Sequence, residues 1–160
     1  MHCNPELSRN SPPAMHRTDI AGRLLVLVQF ALLAWLIWPF TLQHWSVPAL
    51  ALVASAGLLG LWTLAHNRPG NFNIRPEPKQ SGRLVTTGPY RLVRHPMYSA
   101  VLLFAAGEGV AYMDEWKALA WFLLLAVLWA KSALEERSLR ERYPEYAAYV
   151  IGTGRFTPFL

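Results

Sequence analysis

Four long apolar runs divide the chain, and polar segments separate them. The runs cover residues 24–42, 47–65, 97–113 and 116–134. As a helix, each run reaches across most or all of a hydrocarbon core of about 30 Å. Helices are the expected form, because backbone N–H and C=O groups in lipid must bond within their own segment. The pattern predicts an all-α, integral membrane bundle of four transmembrane helices.

The basic residues lie almost entirely on one side of this predicted bundle. Of the 15 Lys and Arg residues, only Lys117 falls near the opposite side. Positively charged residues close to membrane helices are retained on the cytoplasmic side. We therefore expect both termini and the segment 67–94 in the cytoplasm. Any chemistry is expected there too, because the connections 43–46 and 114–115 are too short to hold a site.

The composition also indicates a membrane protein. Of all residues, 53% are hydrophobic and 16% are charged, and the seven Trp lie mostly towards the ends of the runs, as in an interfacial belt. The net charge of +5 does not predict a nucleic-acid partner, because the basic residues follow one membrane face. Cys3 has no partner for a disulfide. We expect residues 1–18 to form a disordered tail and residues 19–160 a single domain.

The segment 67–94 is long for a connection in so small a membrane protein, and such loops are usually functional or disordered. It contains Asn71-Phe72-Asn73, then residues 84–87, whose Leu-Val-Thr-Thr sequence is typical of a strand, and then a Gly-Pro turn. Apolar residues within a basic loop suggest that it folds back over the bundle. The alternative is a basic loop that rests on anionic lipid headgroups.

Two short strings flank the last predicted hairpin. Arg94-His95-Pro96-Met97-Tyr98 begins the third run, and Glu135-Glu136 follows the fourth. A hairpin of two membrane helices returns the chain to its starting side, so the strings should meet at one face. Pro96 suits the first turn of a helix and pushes His95 out of helical geometry. Arg94 and His95 would then project from a helix N-terminus, which attracts anions.

Two carboxylates have a second interpretation. Glu136 could be a solvated surface residue paired with Arg140 at i,i+4. Glu108 lies inside the third run, where a carboxylate is a functional candidate. Its closeness to Asp114 favours a simpler role, in which it reaches the outer interface or pairs within the bundle.

The combined strings resemble the isoprenylcysteine carboxyl methyltransferase family, and phospholipid N-methyltransferases share much of the pattern. The resemblance covers about residues 57–160 and rests on residues 84–90, on Arg-His-Pro-x-Tyr at 94–98, and on Glu135-Glu136 with Leu139. It implies a small helical membrane fold with a cytoplasmic cofactor loop, short C-terminal amphipathic helices and S-adenosyl-L-methionine as the cofactor. It also implies a membrane lipid or lipid-like acceptor, and we expect no metal. The bacterial cytoplasmic membrane is the expected location.

The resemblance also implies roles for individual residues. Lys131 matches a position near the acceptor where prenylcysteine enzymes carry Arg, and Lys lacks the planar fork that binds a carboxylate through two bonds. Arg94 is a second candidate for orienting the acceptor. The candidate catalytic residues are Arg94 and Glu135. The candidate cofactor-binding residues are Leu84, Val85, Tyr90, His95, Pro96, Met97, Tyr98, Glu135 and Glu136.

The residue types fit this chemistry. The carboxylate of S-adenosylmethionine needs cations or N–H groups, which Arg94 and His95 offer, and its ammonium or ribose needs acceptors, which Glu135 and Glu136 offer. A carboxylate acceptor is ionised at neutral pH and needs no base, whereas an amine arrives protonated and needs Glu135 or His95 as base. The residue types alone do not choose between these acceptors. The resemblance favours methyl transfer to a carboxylate of isoprenylcysteine type, and a phospholipid amine or a small thiol is the alternative.

Two other classes of protein also fit part of the pattern. A non-enzymatic membrane scaffold or lipid-binding protein explains the helices and the charge bias, but not the two strings at one face. A nicotinamide enzyme similar to membrane sterol reductases is a second possibility, although the chain has no Gly-rich dinucleotide fingerprint.

Overall fold

The computed structural model describes residues 15–39, 41, 44–67 and 84–158, and the regular elements in these ranges are all helical. This confirms the all-α prediction. A four-residue 3₁₀ helix, Gly88–Arg91, precedes the third α-helix. In chain order the α-helices are α1 (Met15–Ile37), α2 (Val47–His66), α3 (Pro96–Tyr112), α4 (Glu115–Arg142) and α5 (Tyr146–Ile151).

Three of these helices are long and apolar enough to cross a membrane. They comprise Ile20–Ile37 within α1, Val47–His66, which is α2, and Glu115–Arg142, which is α4. The third predicted span, α3, has 17 residues and is shorter than these. The chain is therefore an integral membrane protein by the length and composition of its helices.

Local signals explain where the site-forming helices begin and end. Pro96 starts α3 directly after His95, whose φ of −125° and ψ of 63° are not helical, as the sequence predicts. Met113 ends α3 in the left-handed region, with a φ of 50°. Asp114 then caps α4, since its carboxylate accepts from the backbone N–H groups of Trp116 at 2.7 Å and Lys117 at 3.3 Å. The α3–α4 turn is consequently tight.

The helices pack as two pairs, α2 with α3 and α1 with α4, and α3 joins the pairs by also contacting α4. Gly107 permits the close α2–α3 approach, because a Cβ atom there would lie 2.6 Å from Val53 Cγ2 and 3.1 Å from the Ala49 carbonyl oxygen. Leu36, Leu124 and Leu128 are fully buried between α1 and α4. Large apolar side chains such as Leu27 and Phe122 face outwards, as expected of surfaces in lipid.

Several sequence predictions concern residues outside the described ranges. Of the predicted tail, residues 1–14 lie outside them, and residues 15–18 lie in the first turn of α1. Asn71-Phe72-Asn73 and Cys3 also lie outside. Residues 84–87, whose sequence is typical of a strand, are described without strand pairing. The one bridge in the described part of the chain is a parallel contact of Val93 with Gly154.

Candidate functional site

The two strings meet, as the hairpin argument predicts. The Tyr98 hydroxyl donates to Glu135 Oε1, and His95 Nδ1 lies 3.4 Å from Glu135 Oε2. His95 Nε2 lies 3.2 Å from Glu136 Oε1. The start of α3 and the part of α4 that carries Glu135 and Glu136 are thus joined through both carboxylates. His95 is 7% exposed, whereas the Glu135 side chain is 19% exposed and more accessible to a ligand.

Glu136 is the anion of a buried ion cluster. Its side chain is 3% exposed and accepts from Arg94 Nε at 3.0 Å and from Arg155 Nη2 at 3.0 Å, in addition to His95. The interpretation of Glu136 as a solvated partner of Arg140 is therefore wrong. Arg140 Nη2 lies 3.9 Å from Glu136 Oε2, and the Arg140 side chain is 58% exposed. Arg140 therefore contributes less to the stability of the cluster than Arg94, His95 and Arg155 do.

The chain after α5 returns to the start of α3 and forms a wall of the site. The backbone N–H of Arg94 donates to the Gly154 carbonyl at 2.8 Å, and that of His95 donates to the Arg155 carbonyl at 3.1 Å. The Arg94 guanidinium also donates to the Thr153 carbonyl. Sequence reasoning missed Arg155 and Phe156, because no periodicity or motif marks this segment.

Aromatic rings fill the space beside the carboxylates. The rings of His95 and Tyr98 are stacked, with centroids 5.5 Å apart. The Phe156 ring meets both edge-on, at 6.1 Å and 6.3 Å. Trp129 of α4 packs against Phe156 at 6.0 Å, and the Arg155 guanidinium lies 4.3 Å from the Trp129 ring centroid. These contacts leave Tyr98 and His95 little freedom to change rotamer.

The residues before α3 approach the same end of the bundle. Tyr90 lies in the 3₁₀ helix, and its hydroxyl accepts from Asn67 Nδ2 at 3.0 Å. The backbone carbonyl of Tyr90 accepts from the Tyr149 hydroxyl at 2.5 Å. Burial raises the pKa of Tyr90 to about 12, so its phenol stays neutral. Gly88 has a φ of 60°, and a Cβ atom there would lie 2.2 Å from His66 Cδ2, so any other residue would strain the backbone and displace the His66 ring.

The remaining predicted site residues occupy neighbouring positions. Leu84 and Val85 are half-buried and precede the 3₁₀ helix. Pro96 is buried and Met97 is half-buried, both in the first turn of α3. Lys131 is 2% exposed, and its ammonium lies 5.1 Å from the Tyr98 ring centroid, so Tyr98 contacts both Lys131 and Glu135.

Glu108 lies apart from this site, near the other end of α3. It is fully buried, and among the described residues its two carboxylate oxygens have no hydrogen-bond partner. Within the same described ranges, no group of three or more His, Cys, Asp or Glu side chains is arranged to hold a metal ion.

The imidazole of His95 gives the cluster a pH dependence. Burial lowers the pKa of His95, but the hydrogen-bonded carboxylates of Glu135 and Glu136 outweigh this effect, so the pKa lies above its ordinary value of 6.5. Arg94 and Arg155 also face Glu136, and the rings of Tyr98 and Phe156 face the imidazole.

Replacing His95 by Gln should remove a stabilising effect that depends on pH. The advantage of the wild type in free energy of unfolding should be full below about pH 6.5, where the unfolded imidazole is also protonated, and should fall as pH rises through the higher pKa of the folded state. Unfolding in mixed micelles from about pH 5 to about pH 9 would measure this difference. A difference that grows with pH would contradict the assignment.

Comparison with known proteins identifies the family. Residues 45–146 match the profile of the phospholipid methyltransferase family. The chain is 29% identical over 143 residues to a protein of Oryza sativa named probable protein-S-isoprenylcysteine O-methyltransferase. The aligned region covers 82% of this chain and 75% of that protein.

Two bacterial relatives match a shorter region. The cobalt-zinc-cadmium resistance protein CzcN of Cupriavidus metallidurans is 39% identical over 85 residues, which cover 51% of this chain and 38% of that protein. The nickel-cobalt-cadmium resistance protein NccN of Alcaligenes xylosoxydans is 38% identical over 85 residues, which cover 39% of that protein. The matched part thus spans about two fifths of these two relatives. The family profile matches more than half of the chain, which confirms the resemblance seen in the sequence: the protein belongs to the phospholipid methyltransferase family, which includes the isoprenylcysteine methyltransferases.

Proposed function

We propose that the protein is an S-adenosylmethionine-dependent methyltransferase that acts on an amphiphilic acceptor at the cytoplasmic membrane face. The acceptor group that we favour is a carboxylate of isoprenylcysteine type. The observation that carries this proposal is the convergence of His95, Tyr98 and Glu135 at the start of α3 in a chain of a methyltransferase family.

The donors and acceptors at this end of the bundle suit S-adenosylmethionine. Glu135 is accessible enough to accept from an ammonium or a ribose hydroxyl. The first-turn N–H groups of α3, including those of Met97 and Tyr98, have no acceptor within the helix and suit a carboxylate. The cofactor supplies an electrophilic methyl group on a sulfonium.

The other predicted cofactor residues would act around these contacts. Leu84, Val85 and Tyr90 would cover the bound cofactor, as the resemblance implies. The oxygens of Glu136 are already engaged by Arg94, His95 and Arg155. We therefore propose that Glu136 positions these three side chains and does not contact the cofactor.

The choice of acceptor follows from the cations near Tyr98. Arg94 is engaged by Glu136 and by backbone carbonyls, so we assign the orientation of the acceptor to Lys131 rather than to Arg94. An ionised carboxylate needs only such a cation, and alignment of the reacting groups would supply much of the rate. An amine acceptor would instead require Glu135 or His95 to remove a proton.

A radiolabelled methyl-transfer assay tests the proposal. The full chain in nanodiscs would be offered a prenylcysteine analogue, phosphatidylethanolamine and an alkyl thiol. We expect label on the prenylcysteine analogue. Transfer only to the amine or to the thiol would reject the carboxylate acceptor and keep methyl transfer. No transfer to any of the three, together with no binding of S-adenosylmethionine, would favour a non-enzymatic lipid-binding protein.

We further propose that α3 is a fourth, short membrane span. Its 17 residues extend about 25 Å, and a bilayer adapts to such a mismatch at modest cost. Four crossings leave both termini and the segment 67–94 in the cytoplasm, on the side that holds all but one of the 15 Lys and Arg residues. We propose a bacterial cytoplasmic membrane as the location.

Cysteine labelling should reveal this topology. On a Cys3→Ser background, Thr86→Cys and Glu115→Cys introduce thiols at two exposed positions, one before α3 and one at its far end. Four crossings predict that a membrane-impermeant maleimide labels Glu115→Cys in intact cells but labels Thr86→Cys only after the membrane is opened. Labelling of both from the same side would contradict the fourth span.

A further inference from the structure

A buried polar pair joins α1 to α4 beside the proposed site. Lys131 Nζ donates to Gln29 Oε1 at 3.0 Å, and the two residues are 2% and 8% exposed. Lys131 lies one helical turn before Glu135, and Tyr98 contacts both of these residues. Gln29 lies outside residues 45–146, the part of the chain that matches the family profile.

The hydrogen bond between Gln29 and Lys131 does not offset the cost of burying the lysine charge. Removing an ammonium from water costs more than one hydrogen bond to a neutral amide returns. Within the described residues no carboxylate lies within 4.0 Å of Lys131. Glu135 accepts instead from the Tyr98 hydroxyl and lies beside His95. A buried cation without a directly paired carboxylate is suited to an anionic ligand.

The other buried lysine of α4 illustrates a structural role. Lys117 Nζ donates at 2.5 Å to the carbonyl of Leu36, in the last turn of α1, where carbonyls lack partners within the helix. Its ammonium also lies 3.8 Å from the Tyr112 ring centroid. Lys131 instead faces the middle of α1, where backbone carbonyls are already bonded within the helix. The group that accepts its hydrogen bond there is the side-chain amide of Gln29.

Hydrogen-bond donors of the pair remain available. An ammonium has three N–H donors, and in the described part of the chain one of those on Lys131 is used, by Gln29. Over the same ranges the amide nitrogen of Gln29 has no hydrogen-bond partner. These donors belong to side chains on two helices, α1 and α4. Along α4, Lys131 lies about 6 Å further from the proposed cofactor site than Glu135 does. They match the several lone pairs of an oxyanion.

We infer that Gln29 and Lys131 together bind the anionic head of the methyl acceptor, and that Gln29 determines specificity. Gln29 fixes the ammonium of Lys131 and adds its own amide N–H groups as donors. The pair selects an anionic amphiphile and repels a protonated amine, which would meet a like charge. This inference rests on the proposed methyltransferase function and adds α1 to the acceptor site.

Binding measurements test this inference without requiring turnover. The full chain in phosphatidylcholine nanodiscs is saturated with S-adenosylhomocysteine and titrated with S-dodecylmercaptoacetic acid or with its neutral primary amide. We expect the wild type to prefer the acid by about tenfold, the scale of a charge-assisted hydrogen bond. Gln29→Leu should reduce that preference to about threefold or less, and Gln29→Glu should abolish it, because its own carboxylate occupies Lys131.

The controls separate binding from folding. Leu27→Ala, on the exposed face of α1, should leave the preference unchanged. In a Lys131→Met background the preference should be absent, and Gln29→Leu should have no further effect on it. Affinity for S-adenosylhomocysteine should stay within about twofold in the Gln29 variants, since the hydrogen bond described for Gln29 goes to Lys131 and not to a proposed cofactor residue. If Gln29→Leu loses that affinity, Gln29→Asn gives the same test with a shorter amide.

The possible failures are distinguishable. A wild type that binds S-adenosylhomocysteine but prefers the neutral amide to the acid overturns the Gln29–Lys131 assignment and leaves the methyltransferase proposal in place. A preference that persists in Gln29→Leu also overturns it. A wild type that binds neither S-adenosylmethionine nor S-adenosylhomocysteine overturns the proposed function, and this inference falls with it.

Discussion

Replacing Glu136 by Gln is expected to destabilise the folded protein by about 3–5 kcal/mol, the cost of removing one partner from a buried ion pair. The carboxylate is 3% exposed and accepts from Arg94, His95 and Arg155. Without it, the half-buried guanidinium groups of Arg94 and Arg155 lose their anion, and His95 keeps only Glu135 as a carboxylate partner. Unfolding in mixed micelles would measure the free energy.

The matched control is Glu141→Gln. Glu141 lies on the same helix, α4, but is exposed, so this substitution should change the free energy of unfolding by less than about 0.5 kcal/mol. Equal effects of the two substitutions would show that the buried cluster does not stabilise the fold.

Replacing Glu135 by Ala should weaken S-adenosylmethionine binding by about 1.5–3 kcal/mol, the range for a hydrogen bond to a charged group. This corresponds to roughly tenfold to 150-fold in affinity. Glu135 is the more accessible of the two adjacent carboxylates, and Tyr98 orients it by donating to Oε1. Titration of the folded variant in nanodiscs with S-adenosylmethionine would measure the loss.

Substitutions of the two adjacent carboxylates should therefore have different effects on cofactor affinity and on stability. Glu135→Ala should lower affinity for the cofactor more than it lowers stability, because Glu135 has fewer buried partners than Glu136. Unchanged affinity in a folded Glu135→Ala protein would rule out its role in cofactor binding. A Glu141→Gln protein again provides the reference.

Local rules in the sequence predicted much of the fold. The apolar runs located the four long helices, and Pro96 marked the first residue of α3. The ends of the first and last runs were less accurate. The first apolar run extends to residue 42, but α1 ends at Ile37, before Pro39. The last apolar run ends at residue 134, whereas α4 continues to Arg142, because no helix breaker occurs before Pro144.

The meeting of the two strings was also predictable, because it needs only a hairpin of two helices. The partners of Glu136 were not. Arg155 reaches Glu136 only because the chain after α5 turns back to α3, and the backbone contacts that hold this segment leave no pattern in the sequence.

The Gln29–Lys131 pair illustrates a second limit. Its residues are 102 positions apart, and their contact depends on how α1 and α4 are rotated about their axes. Both helices are apolar around most of their circumference in the membrane, so periodicity does not reveal which face points inwards. Residues 84–87 show a third limit, since strand propensity has no effect without a partner strand.

The most direct test of the central claim is calorimetric titration of the wild-type chain in nanodiscs with S-adenosylmethionine, with a reduced nicotinamide dinucleotide titrated in parallel. A methyltransferase site at His95, Tyr98 and Glu135 predicts saturable binding of S-adenosylmethionine, competition by S-adenosylhomocysteine, and no binding of the dinucleotide. Binding of the reduced dinucleotide without binding of S-adenosylmethionine would contradict the account and favour a reductase.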